Sequence, residues 1–303
     1  MRTRAIAAAA VLVLAAGIVA AVLFRPDRDQ PAGTPPAPTT SRPSVPGRYA
    51  VKIDNAPAAR PQTGLAAADV VYVEPVEGGL TRFAAVYANP PEVVGPVRSA
   101  RETDVELLAQ HGTPVLAYSG SAPALDPLLE RSGFIRARPE DAADAYYRDE
   151  TRPAPHNLYV RPRNLPEPAA APRDTPPTGP APPGGRPVTT RDVTYPSARF
   201  GLAWDGGWTI TADGEPLRDV RAANVVVQRV STRAGVAVED ASGSPSPVVV
   251  TVGSGPAVLL RDGLAFEDVT WTRPTATDPT RFTAGGAELP LAPGPTWVFL
   301  VTS

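Results

Sequence analysis

The sequence predicts an α+β protein: a mixed α/β N-terminal domain with helices packed on a sheet, followed by a β-rich, mostly antiparallel C-terminal domain. Three observations carry this. Helix start and stop signals occur only before residue 165. Pro-rich stretches at 25–46 and 166–187 divide the chain. From about residue 190, short strand-like runs alternate with glycine-containing turns. The 303 residues are enough for roughly two domains of about 150 each.

Met1 to Arg4 is a short basic segment, and Ala5 to Phe24 is an uninterrupted apolar run closed by Arg25-Pro26-Asp27-Arg28. At about 1.5 Å per residue in a helix, such a run is long enough to cross the roughly 30 Å apolar core of a bilayer. Arg2 and Arg4 favour an orientation with the rest of the chain outside the cytoplasm. The length fits an uncleaved signal anchor over 1–24 better than a cleaved signal peptide, whose apolar region is shorter. Cleavage, which would release a secreted protein, is the alternative. Residues 25–46 read as a disordered Pro-rich spacer with too little apolar surface to offset chain entropy.

The first folded domain is expected over 47–165. Tyr49–Ile53 alternates apolar and polar residues like a strand, and Val70–Val76 and Leu80–Ala88 read as a hairpin joined by Glu77-Gly78-Gly79. Ser99-Ala100-Arg101-Glu102 fits a capping box opening a helix that Gly112 and Pro114 would end. Val115–Tyr118 reads as a short strand and Asp126–Arg131 as a second helix, with Gly133 after it. Residues 166–187 are expected as a linker or long loop. The second domain, 188–303, shows strand-like runs at 200–204, 208–211, 224–230, 248–252, 257–261, 269–272 and 297–301. Trp204, Trp208, Trp271 and Trp297 all fall here and are expected to fill a β core, with an exposed platform for sugar rings as the alternative.

The net charge of −2 argues against a nucleic-acid partner. The absence of cysteine removes disulfides, thiolate metal sites and thiol nucleophiles. His111 and His156 are far apart, and no metal site or cofactor is expected. Arginine supplies nearly all the positive charge, since Lys52 is the only lysine. The Ala/Arg/Pro/Val bias is that of a GC-rich, actinobacterium-like genome.

The segments KIDNAPAARPQTGLAAADVVYVEPVEGGLTRFAAVY (Lys52–Tyr87), GPVRSAR (Gly95–Arg101), AYSG (Ala117–Gly120) and PHNLY (Pro155–Tyr159) resemble the YerB-like lipoprotein family. So do AANVVVQ (Ala222–Gln228), the pair Trp271 and Arg273, and LAPGPTWVFLV (Leu291–Val301). That family carries the domain of unknown function 3048 in N- and C-terminal parts. The resemblance covers most of 48–303. It implies an exported, membrane-attached protein of mixed α/β fold with a β-rich C-terminal region, and it brings no reaction. The chain lacks the cysteine that would take a lipid, and the apolar anchor would replace it.

Four groups of residues are candidates for a site. Arg98, Ser99 and Arg101, with Arg82, put arginines beside an expected helix start, geometry suited to a carboxylate or phosphate; the plain alternative is pairing of Arg101 with nearby carboxylates. Glu74 and Glu77, with Thr81 next to Arg82, are two carboxylates flanking a glycine turn; they read as an acid/base pair or, more plainly, as salt-bridge partners. Asp54-Asn55 at a strand end, with Arg60-Pro61, form a structural loop or line a groove with Glu74 and Arg98. His156 and Asn157 supply a general base or a structural turn, and no G-x-S-x-G elbow accompanies Ser99 or Ser119.

The functional expectation is a membrane-anchored extracytoplasmic envelope protein. It contacts the cell membrane through residues 5–24 and binds an anionic cell-wall component or envelope protein through an Arg-lined site. The rivals are a cell-wall hydrolase or transferase using Glu74, Glu77 and His156, and a non-catalytic envelope scaffold.

Overall fold

Period-two patterning decides the architecture, because the sheet it builds is buried on both faces. The computed structural model describes residues 46–172, 174–236 and 247–302. The leader and nearly all of the spacer expected before residue 47 lie outside the described residues.

The N-terminal strands are β1 (Tyr49–Asp54), β2 (Val70–Pro75), β3 (Thr81–Tyr87), β4 (Val115–Ala117), β5 (Ile135–Ala137), β6 (Tyr146–Arg148) and β7 (Leu158–Val160). Beyond them lie β8 (Arg186–Pro187), β9 (Thr190–Tyr195), β10 (Ala198–Trp204), β11 (Trp208–Ala212), β12 (Glu215–Pro216) and β13 (Asn224–Arg233). The last are β14 (Val248–Val250), β15 (Gly253–Arg261), β16 (Leu264–Arg273), β17 (Arg281–Ala284), β18 (Ala287–Glu288) and β19 (Thr296–Thr302). Among the described residues there are two α-helices, α1 (Glu102–Leu107) and α2 (Asp126–Arg131).

One 13-stranded mixed sheet runs in the order β18-β17-β16-β15-β13-β19-β2-β3-β1-β4-β5, with β14 and β8 paired to β13 and β16. Most pairs are antiparallel; β1–β4, β4–β5, β13–β19 and β19–β2 are parallel. The C-terminal strand β19 therefore lies between β2 of the first half and β13 of the second. The 166–187 segment does not interrupt this sheet: Thr178 bridges to Leu291, and Ser44–Ser303 forms one compact unit.

A second sheet, β12-β11-β10-β9, covers one face of the large one. Val51, Ile53, Val71, Val73, Phe83, Trp297 and Phe299 meet Phe200, Leu202 and Ile210 there. Phe200 packs edge-on against Tyr195 and Phe299, with ring centroids 5.9 and 5.1 Å away, and lies 6.3 Å from Phe83. The opposite face gathers Ala50, Tyr72, Ala84, Val226, Val298 and Leu300 with Leu107, Leu108 and Leu129 from the helical segments.

The chain is thus strand-rich with a mixed sheet, and its first half holds less helix than the capping signals implied. α1 begins at Glu102, and Ser99 does not cap it. The Arg101 N–H is taken by Asp104 Oδ2 at 2.6 Å, which fixes the helix start. Residues 98–100 stay extended instead, because Arg98 N–H donates to Lys52 O, Ser119 N–H to Arg98 O and Ala100 N–H to Gly120 O. The helix tightens into a 3₁₀ turn over Leu108–His111 and ends at Gly112, whose φ of +81° suits glycine. α2 spans the residues expected of it.

α1 is also held from the second half. Thr103 Oγ1 accepts the N–H of Val249, and Glu106 accepts those of Thr251 and Val252. Buried Arg273 donates to the carbonyl of Glu106. Trp208, Trp271 and Trp297 are buried and Trp204 half-buried, so they fill the core and do not form a sugar platform.

Phe200→Ala removes the ring that joins both sheets. We expect it to lower unfolding free energy by about 3–5 kcal/mol in urea melts, against less than 1 kcal/mol for a conservative change at exposed Leu80.

Candidate functional site

At the carboxyl ends of β1, β2 and β4, polar side chains replace apolar ones on the helix-covered face. Register makes this row: Asp54 on β1 and Glu74 on β2 both stand opposite Arg82 on β3. Lys52, two residues before Asp54, shares their face. Ligands of open sheets commonly bind in this place, outside the carboxyl ends of parallel strands.

Lys52 is the pivot. Its Nζ lies 2.9 Å from Glu74 Oε1 and 2.6 Å from Asp104 Oδ1, and none of the three side chains has more than 1% exposure. Burial, reinforced by the Asp104 charge, pushes the Glu74 carboxyl up to about 8. Burial and the Asp104 charge thus favour the protonated acid at Glu74, against the opposing pull of Lys52. Asp104 also takes the Arg101 N–H, so the same carboxylate that neutralises Lys52 orients the loop carrying Arg98 and Arg101.

Three arginines crowd the outer side of this cluster. Arg101 makes a two-pronged pair with Glu77, Nε–Oε1 at 2.6 Å and a terminal nitrogen to Oε2 at 2.8 Å. Glu77 reaches it because the 3₁₀ turn Glu77–Gly79 passes through two positive-φ glycines, 67° at Gly78 and 71° at Gly79. Arg98 Nε lies 3.1 Å from Asp54 Oδ2 without hydrogen-bond alignment. Arg82, 9% exposed, donates only to the backbone oxygen of Ser99, at 3.3 Å, and forms no ion pair among the described residues. Burial, with Arg101 and Arg98 adding repulsion, lowers its pKa to about 10. The four cations Lys52, Arg82, Arg98 and Arg101 here meet the carboxyl groups of Asp54, Glu74, Glu77 and Asp104.

The other candidates fall around this centre or away from it. His156 Nδ1 sits 2.7 Å from Asp54 Oδ2, which ties the 155–159 turn to the end of β1. Asn55 donates to Thr81 Oγ1 at 2.8 Å, and Ser99 Oγ lies 3.5 Å from Ser119 Oγ. Arg60 bridges outward: it donates to Asn55 O at 3.1 Å, pairs with Asp213 at 2.7 Å and donates to Ala212 O, pinning the β1 loop to the second sheet. Asn157 is buried and accepts from Arg148. Glu74, Glu77 and His156 are thus engaged by Lys52, Arg101 and Asp54 respectively, which is salt-bridge use and not a facing acid/base pair.

Sequence reasoning missed Lys52 as a member of the cluster and had Asp104 only as a carboxylate near Arg101, while Asp54 beside Asn55 reads as a strand-end residue that could line a groove with Glu74 and Arg98. The available signal was the chain's sole lysine, set inside a strand-like run between Val51 and Ile53.

Residues 33–175 match the family described as protein of unknown function (DUF3048), N-terminal domain, and residues 193–298 match its C-terminal domain. The Bacillus subtilis protein named "Putative lipoprotein YerB" is 38% identical over 114 residues, spanning 37% of this chain and 34% of that relative. The aligned stretch is therefore about a third of the relative's length. The crystal structure of B. subtilis YerB superposes with a TM-score of 0.71 at 23% identity, covering 85% of this chain and 91% of the other, a likeness of fold.

The raised Glu74 value has a sign. The folded state keeps a proton that the unfolded chain releases near 4.5, so this contribution to stability declines as pH rises from about 4.5 to about 8. Glu74→Gln mimics the protonated acid and should remove that slope. The wild-type-minus-variant difference in unfolding free energy should change by roughly 3–5 kcal/mol across the window in urea titrations. His111, whose pKa burial lowers to about 3, contributes the opposite slope at lower pH but cancels in this difference. Amine-reactive labelling followed by peptide mapping gives a second check: Lys52 should stay unmodified in the folded protein and react only as fast as the core opens.

Proposed function

This chain belongs to the DUF3048 family through both its N- and C-terminal domains, and we propose that it is a membrane-associated protein of the bacterial envelope, acting outside the cytoplasm, that binds an anionic group through Arg82, Arg98 and Arg101. The placement rests on the name of the B. subtilis relative and on the apolar segment Ala5 to Phe24, which would serve as anchor where lipoproteins carry a lipidated cysteine. Among the described residues no helix is long and apolar enough to cross a membrane.

The observation that carries the binding proposal is Arg82. A guanidinium with nine-tenths of its surface removed from water, where burial and the repulsion of Arg101 and Arg98 outweigh the attraction of Glu77 and Asp54, and with no ion-pair contact of its own among the described residues, is held at a free-energy cost. A carboxylate or phosphate seated between Arg82 and Arg98 would supply the missing charge and accept several charge-assisted hydrogen bonds at once. Arg98 and Ser99, both half-buried, form the rim through which such a group would enter. The buried Lys52 pair sits behind, holding the arginine loop in place.

The test is calorimetric titration of residues 44–303 with inorganic phosphate and, separately, with citrate. At a ligand concentration 100 times the dissociation constant the fold should gain about 2.7 kcal/mol. Arg82→Met and Arg98→Ala should each weaken binding at least tenfold, and higher salt should weaken it further. Unchanged affinity in both variants overturns the proposal.

A further inference from the structure

On the same face of the large sheet, at the opposite ends of β2 and β19, lies a cavity of about 180 Å³. Its floor and walls include Val86, Phe282, Leu291 and Val298, all in the helix-side core. An apolar cavity of about 150 Å³ holds one benzene ring, so this one has room for a single-ring molecule with a small substituent.

Two polar groups face the space without protein partners. Gln228 on β13 shares the face of Val226 and Val230 and is 3% exposed, yet its side-chain amide makes no hydrogen bond among the described residues. Gln110 at the same cavity differs: its amide donates to Leu107 O and accepts from Thr280. A buried side-chain amide without a protein partner calls for an explanation. His111 is the second group. Its Nε2 meets the Tyr72 hydroxyl at 2.9 Å, leaving Nδ1 with no protein partner among the described residues. Burial, with Arg48 and Arg273 nearby, keeps the imidazole neutral. When Nε2 accepts from Tyr72, Nδ1 carries the hydrogen and is a donor.

A Gln amide offers one donor and one acceptor, and the imidazole adds a donor. The complement is a carbonyl bearing an N–H, on an uncharged body, because the charged residues that also line the cavity, Arg48, Asp69 and Asp174, are of both signs and leave no excess positive charge to hold an anion. We propose that this cavity is a second ligand site, taking a small, uncharged, single-ring molecule that presents a carboxamide to Gln228 and His111. The site is independent of the arginine cluster and stands or falls separately from it.

Benzamide is the probe, with toluene as the ring lacking the amide and benzoate as the charged analogue. Ligand-observed NMR titrations on residues 44–303, the unit that contains every wall of the cavity, should show saturable benzamide binding at millimolar concentration or below. Benzoate should bind at least tenfold more weakly. Gln228→Leu, similar in size and fully apolar, should weaken benzamide at least tenfold while leaving toluene unchanged. Val298→Phe should abolish both by filling the space. If Val298→Phe does not fold, Gln228→Leu decides alone. Absence of saturable benzamide binding, equal benzamide affinity in Gln228→Leu, or ordered water on Gln228 and His111 that benzamide does not displace would each overturn the proposal.

Discussion

Lys52 carries the protein's only ammonium side chain, and it has no contact with solvent. Placing such a group between two sheet faces' worth of apolar side chains is tolerable only because Glu74 and Asp104 meet it from β2 and α1. Removing either acid would leave a buried charge underpaired. The arrangement therefore locks three separate elements into one relative position. Asp104 extends the lock outward, since its second oxygen fixes the start of α1 and with it the extended segment that bears Arg98, Ser99 and Arg101.

The sheet around this lock is held by β19. It fits between β2 and β13 in parallel register on both sides, so Val71 and Val225 each stand opposite Trp297. A strand at the end of the chain thereby closes a core begun by the first described strands. Both of its faces are covered, one by the second sheet and one by short helical segments and loops. That double cover explains why β1, β2, β3 and β19 are buried along nearly their whole length. It also explains why most polar side chains in them, Lys52, Asp54, Glu74 and Thr296 among them, find partners inside the protein.

The two polar regions on the helix-side face follow from one geometric fact. Alternation sends Lys52, Asp54, Tyr72, Glu74 and Arg82 to the same side, and the strand direction separates them into an end rich in charge and an end lined by the cavity. At the charged end Lys52, Arg98 and Arg101 each have a carboxylate at ion-pair distance, and Arg82 has none among the described residues. At the other end Gln228 and His111 are polar but uncharged. The same scaffold thus offers two chemically different environments.

Much of the chain was legible in its residues. The hairpin of β2 and β3 around Glu77-Gly78-Gly79, α2, and most strands beyond residue 190 follow from local alternation, glycine turns and breakers, which act over a few neighbouring residues. The gathering of Arg82, Arg98 and Arg101 was also foreseeable, though by way of a Ser99 cap that does not form. Short strands such as β5, β6 and β8 were not legible, because their residues become strands only by pairing with a partner already in place. Nor was the single sheet: β19 joins β2 across more than 200 residues, and no local pattern encodes a contact of that range. Local sequence determined which segments would be strands or helices and which side chains could carry charge. Tertiary structure alone decided that Lys52 is buried, that Glu74 is its partner, and that Gln228 lines a cavity. Burial and pairing are properties of what packs opposite a residue, and that is set by strand register and sheet order.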